Sequence, residues 1–268
     1  MTEPLDSRRI SAALPRTTRS WLRTLEVLER IDSTNAYVAR IARTGPIDGL
    51  VVTTEFQTAG RGRRGRSWAG DAGQNVAVSI GHAVDVPLTK VGGLSLVVGL
   101  AVVDVLDCLG LERVGLKWPN DIMLGEGKLG GVLIELLGDA PPAQVIVGVG
   151  LNVALDEQTR AAIGTPVAAL ADAGLRVDRN QLIAALVARV HEFTAAFESF
   201  GFERFQPLWE SLNVHAGRNV EVLCGEARVT GRALGVTATG ELRVETDTGE
   251  VTFNAGEVSL RAMEERAS

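Results

Sequence analysis

The chain predicts an α+β fold in two parts, a large unit of strands and helices followed by a small all-β unit, and three observations carry that prediction. A long apolar stretch of helical spacing at 90–109 precedes a β-rich block of short apolar runs, and a strongly periodic helix at 179–200 follows that block. Near 214–217 the texture changes to short alternating strands with Gly-rich turns. Finally, 268 residues that are 46% apolar and 22% charged suffice for one good-sized core plus a smaller unit, which argues against disorder.

Residues 1–20 are polar, Arg-rich and aperiodic, and read as a loose or partly helical lead-in. A strand (LEVLER) begins near 24. The small polar side chains of Asp32, Ser33, Thr34 and Asn35 then suit a helix N-cap, with the helix running through Arg43 until Gly45-Pro46 ends it. LVVTTEF (50–56) and QNVAVSI (74–80) are β-rich runs, so the arginine-rich segment between them is a loop joining two strands. The 90–109 helix stops at Gly110. RVGLKW, DIMLG, KLGGVLIELL and QVIVGVGLNV, split by Gly, Asp and Pro, form a strand meander. The 179–200 helix and another over 202–212 close the large domain, set at 21–214. NVEVLC, ARVTGRALGV, ELRVET and EVTFNAGEVSL then make a small β-barrel of SH3 size over 215–268.

No apolar run approaches the roughly 20 residues of a membrane span, and MTEPLDSRRI lacks the apolar core of a signal peptide, which predicts a cytoplasmic protein without membrane contact. Cys108 and Cys224 lie far apart with no CxxC pattern and read as buried free thiols. His82, His191 and His215 sit at no zinc-ligand spacing and read as structural. A net charge of −6 argues against wholesale nucleic-acid binding, yet four arginines fall within 61–66.

Those arginines lie in GRGRRGRSW, Gly60 to Trp68, whose first six residues match the G-x-G-x-x-G dinucleotide pattern. A dinucleotide turn must run straight into a helix, whereas this loop passes through Trp68-Ala69-Gly70 into a strand, so the nicotinamide reading fails. Three glycines let the backbone fold tightly, while Arg61, Arg63, Arg64 and Arg66 repel one another unless an anion joins them. The expected behaviour is an open lid that closes on a negatively charged ligand; the plainer alternative is a solvated basic loop that touches nucleic acid.

Lys117-Trp118-Pro119-Asn120-Asp121 combines a cation, an aromatic, an amide and a carboxylate at a strand end, although alone it is also ordinary turn chemistry with a packed Trp. Lys128 is followed by Leu129-Gly130-Gly131, a charge beside unshielded backbone N–H groups that suits a carboxylate or phosphate oxygen. Taken together and in this order, GRGRRGRSW, KWPND and KLGGVLIE resemble the biotin protein ligase family, and DSTN, EFQTAG and GVGLNV match its pattern too, over about residues 31 to 260.

The resemblance implies a mixed β-sheet with flanking helices, related to class II aminoacyl-tRNA synthetases, plus a C-terminal SH3-like barrel. It implies that biotin and Mg-ATP react to biotinyl-5'-AMP and pyrophosphate, and that biotin passes to a lysine of the biotin carboxyl carrier domain of acetyl-CoA carboxylase or a related acyl-CoA carboxylase. Carried over by motif, Ser33, Thr34, Asn35, Gln57, Gly60, Arg61, Gly62, Arg63, Lys128 and Gly131 hold biotin. Arg61, Arg63, Arg66, Trp68, Asn120, Lys128 and Asn152 serve the nucleotide, with Trp68 stacking on adenine. Lys128, Arg63 and Arg66 are the catalytic candidates, and Asp121 orients a lysine or helps hold magnesium, which is carried mainly by phosphates. Bifunctional members carry a DNA-binding helix-turn-helix ahead of this region; only residues 1–20 stand there in this chain, which predicts a monofunctional enzyme that binds no specific DNA, as a monomer or weak ligand-dependent homodimer. A lipoate or octanoyl transferase, the nearest rival, lacks KWPND; a nucleic-acid module would need basic residues spread over a face, and the remaining sequence is acidic.

Overall fold

The computed structural model describes residues 3–138, 142–224, 227–255 and 258–262. Its larger sheet has seven strands, β1 (Thr24–Ile31), β2 (Leu50–Gln57), β3 (Asn75–Val84), β4 (Val114–Lys117), β5 (Asp121–Leu124), β6 (Gly127–Leu137) and β7 (Ala143–Asn152). They lie in the order β1-β2-β3-β7-β6-β5-β4; β1 and β2 are parallel and every other pair antiparallel, so the sheet is mixed. A parallel pair needs a crossover, which helix α3 (Thr34–Ile41) supplies, capped by Ser33.

The period of two along β7 divides the sheet faces. Val145, Val147, Val149 and Leu151 point into the main core, where α4 (Leu94–Cys108) and α6 (Arg179–Phe200) pack on each other. Ile146 joins Val38, Leu50 and Val52 in a second cluster beneath α3. Helix α4 is apolar nearly all round because it is buried nearly all round, until its last turn reaches the surface at Asp107 and Cys108. Contrary to the expectation that no run approaches a membrane span, Lys90–Cys108 has the length and apolar composition to cross a bilayer, but 67% of that window is buried within the protein, as in a core helix.

Several expectations need correction. Of the two readings of residues 1–20, loose or partly helical, the structure takes the helical one: α1 (Ser7–Ala13), capped by Asp6, packs on α6, and α2 (Arg16–Trp21) follows directly. Glu55 accepts from the Leu5 N–H at 2.5 Å and from Arg179 at 2.7 Å, while Arg179 also donates to the Glu3 carbonyl at 2.9 Å. The helix expected from 90 begins at Leu94, because Gly92-Gly93 leaves Leu88–Gly93 as a 3-10 segment. The 202–212 helix is a 3-10 turn, Phe202–Arg204, followed by α7 (Gln206–Leu212). A short helix α5 (Glu157–Ile163) lies in a stretch with no strong period. Neither cysteine is buried: Cys108 ends α4 exposed and Cys224 is half-buried.

The smaller sheet is antiparallel, with β8 (Asn219–Cys224), β9 (Ala227–Val236), β10 (Leu242–Thr246), β11 (Gly249–Phe253) and β12 (Val258–Ala262) in the order β11-β10-β9-β8-β12. Among the described residues β11 and β12 form its two edges and do not pair. It is joined to the large sheet through one core. The Val236 N–H donates to Glu210 at 2.6 Å, Gln206 donates to the Val236 carbonyl at 2.6 Å, and the Trp118 indole N–H donates to the Gly240 carbonyl at 3.0 Å.

Trp21 closes the N-terminal segment by stacking on His82 and His191, with ring centroids 4.7 and 4.0 Å away. Burial, and then the neighbouring His191, pushes the His82 pKa down from 6.5 to about 3. The unfolded chain therefore takes up a proton that the folded one refuses, so the His82 contribution is intact above pH 6.5 and is lost progressively as pH falls towards 3. At about 1.4 kcal/mol per pH unit, roughly 2 kcal/mol is gone by pH 5. Denaturant unfolding at pH 7 and pH 5 should show that loss, and His82→Phe should flatten it; an equal slope in the variant would remove His82 as its source.

Candidate active site

The floor of the site is the other face of β7. Alternating with the core valines are Gly148, Gly150 and Asn152, and register places Gly148 beside Ser79 and Leu133 and Gly150 beside Ala77 and Gly131. The missing side chains make room for others. A Cβ at Gly148 would overlap Asn35 Oδ1, and one at Gly150 would lie 2.8 Å from the Trp68 ring. A Cβ at Gly131 would lie 3.4 Å from the Lys128 ammonium. Gly148 and Gly150 are needed for close approach, not for unusual torsions, whereas a Cβ at Gly131 would make only ordinary contact.

Over this floor sits the start of α3. Ser33 accepts from the Ala36 N–H at 3.4 Å as N-cap, so the next two side chains are turned towards the sheet. The Thr34 N–H donates to Gln57 Oε1 at 2.8 Å, and the Thr34 hydroxyl lies 3.2 Å from the same oxygen. Ser79 Oγ lies 2.7 Å from the Thr34 hydroxyl and 2.5 Å from Asn35 Oδ1, and Asn35 Nδ2 donates to Glu135 at 2.7 Å. Ser33, Thr34, Asn35 and Ser79 are all buried.

The arginine loop folds on itself. Gly62 N–H donates to the Arg66 carbonyl at 2.7 Å, Trp68 N–H to the Gly60 carbonyl at 2.8 Å, and Arg61 bridges Ser67. Arg64 (φ 58°) and Gly65 (φ 70°) turn the chain through the left-handed region. Gly60 lets Trp68 and Gln57 close around it. Of the four arginines only Arg63 turns inward; Arg61, Arg64 and Arg66 are exposed. Arg63 Nη1 donates weakly to Asn120 Oδ1 at 3.4 Å, whereas Nη2 is buried without a partner. Burial, then the charge of Arg66, lowers the Arg63 pKa from its usual value. Trp68 Nε1 is likewise buried and unpartnered. Two buried donors without acceptors are a cost that a ligand bearing acceptors would remove.

Lys128 stands at the opposite wall. Its ammonium lies 2.5 Å from Asp121 Oδ1 and 5.8 Å from the centre of the Trp68 ring. Its backbone is clamped by residues 166–168 and by Asn152, whose amide donates to the Lys128 carbonyl at 3.3 Å and the Ala168 carbonyl at 3.0 Å. Asn120 donates to the Val132 carbonyl at 2.7 Å, tying the turn after β4 to β6. The structure thus brings Ser33, Thr34, Asn35, Gln57, Gly60, Gly62, Arg63, Trp68, Asn120, Asp121, Lys128, Gly131 and Asn152 around one floor, while Arg61 and Arg66 stand at its outer rim. Among the described residues no three His, Cys, Asp or Glu side chains converge to hold a metal.

Sequence reasoning passed over Gly148, Gly150, Ser79 and Glu135. The signal for the glycines was present: in VIVGVGLN the valines recur at every second position, so the small residues between them share the opposite face. Ser79 and Glu135 carried none, because their contacts join residues 44 and 100 positions apart.

Comparison with known proteins agrees with this geometry. Residues 27–152 match the Biotin/lipoate A/B protein ligase family, and residues 215–261 match the Biotin protein ligase C terminal domain. The chain is 36% identical over 266 residues to the biotin--[acetyl-CoA-carboxylase] ligase of Mycobacterium tuberculosis, covering 95% of each. It is 35% identical over 240 residues to the bifunctional ligase/repressor BirA of Escherichia coli, covering 89% of this chain and 74% of that one. Among solved structures, the biotin protein ligase of Aquifex aeolicus in complex with biotin and ATP superposes with a TM-score of 0.76 at 29% identity, covering 90% of this chain and all of the other. With its fold, its glycine-floored site and these relatives in agreement, the chain belongs to the biotin protein ligase family.

Proposed function

We propose that the chain joins biotin to ATP as biotinyl-5'-AMP, releasing pyrophosphate, and then passes biotin to a lysine of a biotin carboxyl carrier domain of an acyl-CoA carboxylase. The observation that carries this reading is the buried, unpartnered Nη2 of Arg63 beside the Lys128–Asp121 pair: a cationic donor held out of water calls for an oxyanion. In the first step a biotin carboxylate oxygen forms a bond to the α-phosphorus and the bond to pyrophosphate breaks. In the second, the carrier amine attacks the acyl carbon and AMP leaves. Both steps gather negative charge at one centre, where Lys128 and Arg63 stabilise it.

Ser33, Thr34 and Gln57 meet the polar ring of biotin, with Gly131 offering its N–H, while Asn35 shapes the wall. Gly60, Arg61, Gly62 and Arg63 fold over the adenylate and shield it from water, with Arg66 at the rim. Trp68 and Asn120 border the nucleotide, and Asn152 acts through the Lys128 strand it supports. Asp121 is already engaged with Lys128, so magnesium would arrive on the phosphates of ATP and offset their charge there. The reaction belongs where ATP is available, in the cytoplasm, and it comes without a repressor role, in keeping with the net charge of −6.

Incubating the protein with Mg-ATP, a carrier domain and either biotin or lipoate, and weighing the carrier by mass spectrometry, should show a biotin adduct only. A carrier that gains no biotin would end this reading. A sequence-specific, salt-resistant mobility shift would end the part that excludes repression.

A further inference from the structure

Asn35 lies buried under α3, and its amide meets partners that differ in kind. Nδ2 lies 2.7 Å from Glu135 and 3.4 Å from the Leu133 carbonyl. A carbonyl only accepts, so the nitrogen must occupy that side of the amide. The amide oxygen is thereby turned to Ser79 Oγ at 2.5 Å. Ser79 has a single proton, and an amide oxygen only accepts, so Ser79 gives its proton to Asn35. Towards the Thr34 hydroxyl, 2.7 Å away, Ser79 then has only a lone pair to offer. Two hydroxyl oxygens 2.7 Å apart need a proton between them, so the Thr34 proton goes to Ser79 in preference to Gln57 Oε1, which is farther off at 3.2 Å. Whichever of these two oxygens takes it, the Thr34 proton is spent inside the row, which therefore ends on a threonine oxygen that can accept but not donate.

We propose that Glu135 is a positioning residue for this site. From β6 it fixes the amide of Asn35 and, through Ser79, makes the Thr34 hydroxyl an acceptor, so that the pocket selects a ligand presenting an N–H there over one presenting an oxygen. Register supports the placement: Glu135 lies two residues from Leu133, which faces Gly148 and, across it, Ser79, all on the floor face. The inference rests on reading the pocket as a biotin site, since the cyclic urea of biotin carries N–H groups. Nothing in the row requires Glu135 to touch the ligand.

Steady-state pyrophosphate exchange tests it, with biotin and with a cyclic carbamate analogue in which a ring oxygen replaces one urea N–H. Wild-type exchange with biotin tests the underlying reading by itself, and its absence would remove both. Given that exchange, Glu135→Leu should raise the KM for biotin about tenfold, the scale of one buried hydrogen bond, while kcat and the KM for ATP stay within about twofold. The preference for biotin over the carbamate should shrink by a similar factor of about ten. Glu135→Gln keeps an oxygen that can accept from Asn35 and should restore both values to within about twofold. Ser79→Ala cuts the row in its middle and should reproduce the Glu135→Leu shift, which keeps the test decisive if the leucine variant does not fold. Unchanged biotin KM and unchanged discrimination in Ser79→Ala, or a Glu135→Gln enzyme as impaired as Glu135→Leu, would overturn the proposal.

Discussion

Lys128→Ala is expected to lower biotin-dependent pyrophosphate exchange about a hundredfold, the loss of roughly 3 kcal/mol that follows removal of one preorganised donor to developing charge. The ammonium is held rather than free. Asp121 contacts it at 2.5 Å, residues 166–168 and Asn152 clamp its backbone, and Gly131 leaves the space beside it open. Two anions, a carboxylate and a phosphate, approach only where cations offset their repulsion, and Lys128 and Arg63 are the cations that turn inward. The same substitution leaves Asp121 without its partner, so the variant needs two readouts. Thermal unfolding should change modestly because the pair is partly exposed, while the exchange rate falls steeply. Biotin binding measured by calorimetry should weaken less than the exchange rate, as expected for a group whose interaction grows in the transition state. Undiminished exchange in a folded Lys128→Ala protein would rule out its role as a charge stabiliser.

How much of this was legible beforehand follows the range of the signals. The strands of the large sheet, α6 and β8 to β10 of the small sheet are written in local periodicity, and the structure places them where that periodicity points, whereas EVTFNAGEVSL, read as one strand of a barrel, divides into β11 and β12 at opposite edges of the sheet. The helices α1 and α2 were legible only as a loose or partly helical lead-in, because they are held by packing on α6, and the residues just before them by Glu55 and Arg179, far along the chain, rather than by a period of their own. Cys108 illustrates another limit: it is a residue type usually buried, on a helix buried nearly throughout, yet it falls in the last turn where α4 emerges. Within the site, motifs located most residues, but only geometry distinguishes Arg63, which turns inward, from Arg61 and Arg66, which do not. The motif likewise could not reveal that the Asn152 amide is spent on the Lys128 and Ala168 carbonyls.

Trp118→Ala is expected to destabilise the protein by about 3–5 kcal/mol, the usual cost of emptying a large aromatic site in a core. KWPND reads in sequence both as site chemistry and as a turn with a packed aromatic, and the structure joins the two. Lys117 ends β4, the Asn120 N–H closes the turn onto the Lys117 carbonyl at 3.1 Å, and Asp121 opens β5 beside Lys128. Trp118, 1% exposed, points the other way, to the seam with the small sheet, where its indole N–H reaches Gly240 at 3.0 Å. Gly240 in turn packs against Gly93 and Leu96 at the start of α4. One indole therefore ties the active-site turn, the core helix and the C-terminal sheet together. Trp118→Phe retains most of the apolar contact but leaves the Gly240 carbonyl unpaired, and should cost less, about 1–3 kcal/mol. Denaturant unfolding orders the two variants, and limited proteolysis near 213–218 should cut Trp118→Ala faster than wild type as the sheet loosens. If both variants unfold within about 0.5 kcal/mol of wild type, the surface-like range, the seam is held elsewhere. If stability falls and pyrophosphate exchange survives in the folded fraction, the C-terminal sheet supports the fold without shaping the turn; a KM for biotin that rises along with the loss of stability is the result expected from a turn anchored on that sheet.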